Sequence, residues 1–362
     1  MSEPLRVVWQ VMLGGWTGLS STGEAMAYQM HLDGVHVMLR PVVHPFAGPA
    51  HILELRHLAS RPIDPRAPQI SYIQPEYWNT SHPGYKIGFT MLEVTGIPRD
   101  WVRHCNAMDE IFVPSEFNCR TFAESGVRKP ITVIPLGIDP AVFHPNGPAH
   151  RVEGYFTFLS VFEWGERKAP EILLRAFTQE FSAGEPVILL LKVHNHDPGV
   201  DIARQVKAMD LRDDAAPVVF LFNQPLSEQQ MPALYRSADC FVLPTRGEGW
   251  GMPILEAMAC GLPVIATDWS AQTEFMNEGN AYPLRVKQLI PARAKCPYYK
   301  GFQWADPDYD HLRYLMRYVF EHREEARQKG LLAAREVTQK WTWQQTAAKI
   351  KARLLDIFIA KS

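Results

Sequence analysis

The chain has 362 residues, more than one hydrophobic core usually serves, so two domains of ordinary size are expected. Hydrophobic residues make up 46% and charged residues 21% of it, close to the globular average. The formal net charge of −2 supplies no basic field for nucleic acid or anionic lipid, which argues against a nucleic-acid partner.

At the N-terminus, RVVWQVML (6–13) is an apolar run of strand length followed at once by glycines. It has neither a charged leader with a cleavage site nor the length to span a bilayer, so a cytoplasmic protein is expected, with any membrane association only peripheral. Cys105, Cys119, Cys240, Cys260 and Cys296 are odd in number and form no Cys-x-x-Cys pair. They read as buried small hydrophobes of a reducing compartment. Further on, STGEAMAYQMHLDG, VHVMLRPVV, EIFVPS, TFAESGV and ITVIPLG continue an alternation of helical and strand patterns, the signature of βα units and parallel sheets.

HPNGPAHRVEG (144–154) breaks the pattern with proline and glycine and no hydrophobic period. The domain boundary is expected there, giving a first domain over 1–148 and a second over 149–340. Within the second, YFTFLSVF, EILLRAFTQEF, PVILLLKV, VVFLFN, MPALYRSA, CFVLPT, PILEAMA and PVIATD alternate strand and helix as far as 268. The fold class is therefore α/β, with two doubly wound, Rossmann-like domains. Amphipathic helices follow over DPDYDHLRYLMRYVFEHREEARQKG (306–330) and WTWQQTAAKIKARLLDIFIA (341–360). His194-Asn195-His196-Asp197 lacks the spaced pairs of a tetrahedral metal site and reads as a polar loop after a strand, so no metal site is assigned.

In an open parallel sheet, ligands bind where strands end and loops lead into helices. CFVLPT, RGEGWG and PILEAMA (240–259) have that order, with Pro253 suited to a first helical turn and Gly261 to the position past the helix end. The amides of Gly249, Trp250, Gly251 and Met252, with the helix N-terminus, make a concave donor surface for phosphate or hydroxyl oxygens. Glu248 precedes the turn and Glu256 follows it, so both can accept hydrogen bonds from the hydroxyls of one ligand. The pairing suits a polyol with an anionic middle. An acid that caps or complements a helix N-terminus is the structural alternative.

The stretch TRGEGWGMPILEAMACGLPVIATDWSAQTEF (245–275) resembles the Glu-x7-Glu signature of the family 4 retaining glycosyltransferases. MDEIFVPSEF (108–117), ITVIPLGIDPAVFHP (131–145) and WTWQQTA (341–347) are similar to other segments of that family. The resemblance implies the GT-B fold: two Rossmann-like domains facing a central cleft, and a terminal helix over 341–362 packing back on the N-terminal domain. It implies that Glu248 holds hydroxyls of the transferred sugar and Glu256 the ribose of the nucleotide. Lys168, in FEWGERKAPEIL, matches the family's phosphate-binding lysine, and Arg167 substitutes for an arginine usually placed where this chain has Phe162. Gly14 and Gly15, in LGGWTGLSSTGEA, would close over the diphosphate, a plain tight turn being the alternative. Where relatives commonly carry a histidine facing the sugar, FTMLEVTGIP offers Glu93, to orient the acceptor hydroxyl or the donor sugar, or else to serve as a structural loop acid.

The implied activity is transfer of a hexose, with UDP-glucose the preferred donor, to a hydroxyl of a glycan or lipid-linked acceptor. No cofactor beyond this donor substrate is expected. Arg167, Lys168 and the helix amides would carry the diphosphate charge without a metal, because fixed cations stabilise a leaving group whose charge grows as the glycosidic bond breaks. The alternatives are a non-catalytic nucleotide-sugar-binding subunit and a dinucleotide-dependent oxidoreductase, the latter disfavoured by the incomplete glycine fingerprint.

Overall fold

The computed structural model describes residues 4–15, 17–43, 48, 50, 52–195, 197–227, 230–293 and 295–359, which form two compact units. His196, part of the polar loop read above, lies outside the described residues.

The first unit comprises residues up to Leu92, Gly96–Gly137, and the chain from Trp341 onward. Its elements are β1 (Arg6–Val11), α1 (Gly18–Leu32), β2 (His36–Pro41), α2 (Glu54–Ala59), β3 (Gln69–Tyr72), β4 (Lys86–Phe89), α3 (Arg99–Ala107), β5 (Glu110–Val113), α4 (Glu116–Glu124) and β6 (Ile131–Val133). The strands form one parallel sheet in the order β2-β1-β3-β4-β5-β6. Near-continuous apolar strands such as RVVWQV suit a sheet covered on both faces, and Val7, Val8, Trp9 and Val11 are fully buried. α1 and α4 start on side-chain caps: Thr17 accepts the Ser20 amide at 3.3 Å and Ser115 the Asn118 amide at 3.1 Å.

Residues Glu93–Thr95 and Ile138–Lys340 make the second unit. It contains β7 (Phe156–Glu163), α5 (Pro170–Glu180), β8 (Val187–His194), α6 (Ile202–Lys207), β9 (Val218–Phe222), α7 (Gln230–Arg236), β10 (Cys240–Leu243), α8 (Met252–Ala259), β11 (Val264–Thr267) and β12 (Tyr282–Leu284), then β13 (Val286–Pro291), β14 (Gln303–Pro307), α9 (Tyr309–Glu321) and α10 (Arg323–Lys340). The main sheet is parallel in the order β12-β11-β10-β7-β8-β9, so strand order reverses between β7 and β10. That reversal is the topological switch point at which open α/β sheets bind their ligands.

Three expectations differ from the structure. The units divide at Gly137/Ile138 instead of 148/149. Arg236 explains the shift, since its guanidinium donates to the carbonyls of His144 at 3.1 Å and Pro148 at 3.0 Å and binds the proline-rich stretch to the second unit. Glu93–Thr95, read as part of the first domain, clusters with the second. The helical pattern over 306–330 breaks at His322, with φ −112° and ψ 48°, into α9 and α10.

The last helix, α11 (Trp343–Ile359), belongs to the first unit. Thr346 donates to the Pro135 carbonyl at 2.8 Å and Lys351 to that of Asp33 at 2.9 Å. Arg353 makes a two-pronged bond to Glu110 on β5, at 2.8 and 3.1 Å, and Tyr85 and Thr132 also donate to that carboxylate. Glu110 is wholly buried. Removing one partner of a buried pair leaves an uncompensated charge, so Arg353→Ala is expected to cost about 3 kcal/mol in denaturant unfolding. The Glu110→Gln/Arg353→Met double variant should recover most of that loss, and a single variant as stable as the parent would contradict the assignment.

Candidate functional site

Two loops meet at the switch point of the second unit. After β7 a 3-10 turn over Glu166–Lys168 leads through Ala169 into α5. Ala169 holds a left-handed conformation, φ 50° and ψ 48°, fully buried. Proline at 170 disfavours the right-handed helical region for the residue before it, and the left-handed turn presents Arg167 and Lys168 at the strand end. After β10 the chain runs through Thr245–Gly251 into α8, whose bounds agree with the expected helix. Gly251, at φ 98°, makes the turn a side chain would oppose.

The two loops are tied at the backbone. The Arg246 amide donates to the Arg167 carbonyl at 2.7 Å, its guanidinium donates to the Glu166 carbonyl, and it pairs with Glu171 at 2.6 Å. The Lys168 ammonium donates to Glu248 Oε1 at 2.5 Å, and Arg167 stands 3.2 Å from Glu248 Oε2 while donating to the Gly247 carbonyl at 2.7 Å. Ser270, itself at φ 69°, accepts the Glu248 amide at 2.9 Å. Gln272 fixes Ser270 by accepting its hydroxyl at 3.0 Å and donating to the Thr267 carbonyl at 2.8 Å.

Glu93 joins this group. Its carboxylate lies 3.9 Å from Arg167 and accepts from the Tyr299 hydroxyl at 2.8 Å. Gly247 packs directly on the Glu93 carbonyl, where a Cβ would overlap the oxygen. The structure thus brings together Glu93, Arg167, Lys168 and Glu248, two anions and two cations. Phe162, where an arginine is the commoner residue, is buried and stacks on Trp164 at 6.1 Å.

Burial alone would raise the Glu248 carboxyl, but Lys168 and Arg167 outweigh it and hold the group below the ordinary carboxylate range. Burial lowers the Lys168 ammonium, with Arg167 adding to the effect, despite the attraction of Glu248. Glu256 behaves oppositely. Burial pushes it up to about 7, although the Tyr235 hydroxyl, donating at 2.8 Å, and Lys192 on β8 both favour the anion. Lys192 is itself lowered by burial.

Of the remaining expected residues, Gly249, Trp250, Gly251 and Met252 form the turn into α8, and the Trp250 indole is buried 5.2 Å from the Phe275 ring. Gly14 and Gly15 lie in the first unit at the β1–α1 turn, where their amides donate to Glu24 at 2.7 Å and Ser20 at 2.9 Å. A carboxylate of the chain itself therefore occupies the Gly14 amide. Asp306-Pro307-Asp308-Tyr309-Asp310 has an aspartate-x-aspartate spacing. In the structure Asp308 caps α9, accepting the His311 amide at 3.0 Å, and pairs with Arg285 at 3.3 Å. Tyr235, Arg246, Ser270 and Tyr299 were not legible as site residues. Ser270 alone has a local signal, its place just beyond the strand PVIATD.

Comparison with known proteins finds similarity in both sequence and fold. Residues 153–293 match the family model described as glycosyl transferases group 1. A putative glycosyltransferase 45 of Sulfolobus islandicus filamentous virus is 24% identical over 60% of this chain and 57% of its own length. The D-inositol 3-phosphate glycosyltransferase of Mycolicibacterium smegmatis is 33% identical over 38% of this chain and 32% of its own length. The chain thus spans little more than half of these curated relatives at most. Among solved structures, Anabaena HepE in complex with UDP-glucose superposes with a TM-score of 0.70 at 15% identity, covering 97% of this chain and 99% of that one. Sucrose-phosphate synthase of Thermosynechococcus elongatus does so at 0.70 and 16%, covering 98% and 99%.

The raised Glu256 carboxyl carries a pH dependence. From its ordinary value of 4.5 to about 7, the folded protein binds more protons there than the unfolded chain, so this group's contribution to stability falls as pH rises across that window. Glu256→Gln removes the dependence, and its melting temperature is expected to gain a few degrees on the parent between pH 5 and pH 8. An unchanging gap would show that Glu256 titrates normally. The two six-stranded parallel sheets are those of the GT-B fold, and together with the group 1 match over 153–293 they support a glycosyltransferase.

Proposed function

We propose that the protein is a retaining glycosyltransferase of the Glu-x7-Glu family 4 type. It would transfer a hexose, with UDP-glucose the favoured donor, to a hydroxyl of a glycan or lipid-linked acceptor, and it would act without a metal. The observation that carries this reading is the convergence of Arg167, Lys168 and Glu248 at the switch point of the second unit, with Glu256 on the next helix turn. HepE, similar in fold across nearly its whole length, is described with UDP-glucose bound.

In this reading Arg167 and Lys168 face the diphosphate, together with the amides at the start of α8. Charge grows on the leaving phosphate as the glycosidic bond lengthens, so cations already fixed in a buried site stabilise the transition state without reorganising. Glu248, kept anionic, accepts hydrogen bonds from sugar hydroxyls. Glu256 takes the ribose hydroxyls as its carboxylate. Glu93 faces the reacting sugar or the acceptor hydroxyl. Retention follows a front-side path through an oxocarbenium-like state, with the departing phosphate taking the acceptor proton, which leaves no role for a covalent protein nucleophile.

Glu248→Gln and Lys168→Ala are each expected to lower turnover of the cognate nucleotide sugar on the order of a hundredfold while the protein stays folded. Parent-like rates in both variants would refute the site.

Melting temperature with UDP, GDP and ADP, each with and without chelator, names the base. Ligand at a hundred times its Kd adds about 2.7 kcal/mol, read as a shift of a few degrees. One chelator-insensitive shift is expected, largest for UDP. A shift without turnover on any nucleotide sugar would favour a binding subunit, and no shift with any nucleotide would overturn the proposal.

A further inference from the structure

The hairpin β13–β14 stands apart from the main sheet of its unit, yet it touches the site from two sides. On one side the Thr95 amide donates to the Gln303 carbonyl at 3.0 Å, the Gln303 amide donates to Thr95 Oγ1 at 3.0 Å, and the Tyr299 hydroxyl donates to Glu93 Oε2 at 2.8 Å. On the other, the Ala305 amide donates to the Arg246 carbonyl at 2.9 Å, and the Arg246 guanidinium lies over the Trp304 ring at 5.8 Å. Tyr299 and Trp304 are buried, their rings 5.8 Å apart. Both sides lead to Arg167: through the Glu93 carboxylate, and through the Arg246 bonds to the backbone of Glu166 and Arg167.

The distances on the first side are informative. Glu93 Oε2 is held at hydrogen-bond length by Tyr299, while Oε1 stops 3.9 Å from Arg167, too far for a hydrogen bond. A free glutamate beside an arginine in a buried site would close that gap, since the paired, bonded geometry is the favourable one in low dielectric. We propose that Tyr299 is a positioning residue whose hydrogen bond holds Glu93 back from Arg167, and so keeps the Arg167 guanidinium available to the phosphates of a nucleoside diphosphate. This rests on the proposed function only in taking Arg167 as a phosphate ligand. Tyr299→Phe frees Glu93 to pair with Arg167 and compete with the phosphates. Adding Glu93→Gln removes the competing charge.

The test is titration of the nucleoside diphosphate selected from UDP, GDP and ADP, beside its free nucleoside, which lacks phosphate. Tyr299→Phe is expected to weaken the diphosphate at least fivefold and leave the nucleoside unchanged, with the Glu93→Gln/Tyr299→Phe double variant returning to within twofold of the parent. A merely structural role for Tyr299 would weaken both ligands alike and would not be rescued. That outcome, or parent-like diphosphate binding in Tyr299→Phe, overturns the proposal. Arg167→Ala separates the two levels: if it binds the diphosphate as the parent does, Arg167 is no phosphate ligand, and both the site reading and this inference fall. If it weakens the diphosphate while Tyr299→Phe does not, the inference alone falls.

Discussion

A carboxylate removed from water must be met by charge and hydrogen bonds, or it takes up a proton. Glu248 is only 5% exposed, and the second unit is arranged around keeping it anionic. Its two cations come from a loop some 80 residues earlier, after a different strand, and only the adjacency of β7 and β10 brings that loop within reach. The backbone follows the same demand. Ala169 adopts a left-handed turn behind Lys168, and Ser270, also at positive φ, meets the Glu248 amide. Conformations of this kind cost of order 1–3 kcal/mol each and persist where the surroundings over-determine them. A buried ion pair is seldom a net source of stability compared with apolar packing of the same volume. The collection of strained turns and buried charges at one strand end is therefore better explained by chemistry than by folding.

Eight positions along the chain, Glu256 has the opposite electrostatics. Its neighbours are a tyrosine hydroxyl and a more distant lysine on β8, not two close cations, and burial dominates. Environments that push two acids apart in this way give them different work: one is a permanent anion, the other can gain or lose a proton near neutral pH. One short motif thus holds two carboxyls of opposite electrostatics.

Most of the architecture was readable because it rests on local periodicity. Runs such as RVVWQV, VILLLKVH and CFVL are strands in the structure as their composition suggests, and Pro253 lies in the first turn of α8 with Gly261 just past its end. Glu248 stood out beside a glycine-rich turn at a strand end, and Lys168 and Arg167 through the resemblance to a family that places cations after the first strand of this domain. The sequence was silent where the outcome depends on distant partners. Nothing in FTMLEVTGIP shows that Glu93–Thr95 clusters with the second unit, since the reason lies in Gln303 and Tyr299, some 200 residues later. The hairpin was not read at all, because VKQLIP and QWADP lack the apolar density of the other strands. The unit boundary moved for a similar reason, set by Arg236 and not by the proline and glycine content of the linker.

The charge balance at the switch point constrains how an anionic ligand can enter. The cluster sets two carboxylates, Glu93 and Glu248, against two cations, Arg167 and Lys168, so by itself it offers little net charge to attract an anion at long range. In the proposed reading a diphosphate would add negative charge at close quarters and would have to share cations already engaged at 3.2 and 2.5 Å. It can do so because the partners are unequal. Lys168 is a compact ammonium with three donor positions, of which Glu248 uses one among the described residues. Arg167 has five, directed so far at the Gly247 carbonyl and Glu248. The unused donors of two fixed cations are what a phosphate could take without expelling Glu248, which leaves the carboxylate in place for hydroxyl groups beside it. Anion and polyol recognition then depend on one another within a single buried cluster. That dependence suits a ligand carrying both functions on adjacent atoms, as a nucleotide sugar does.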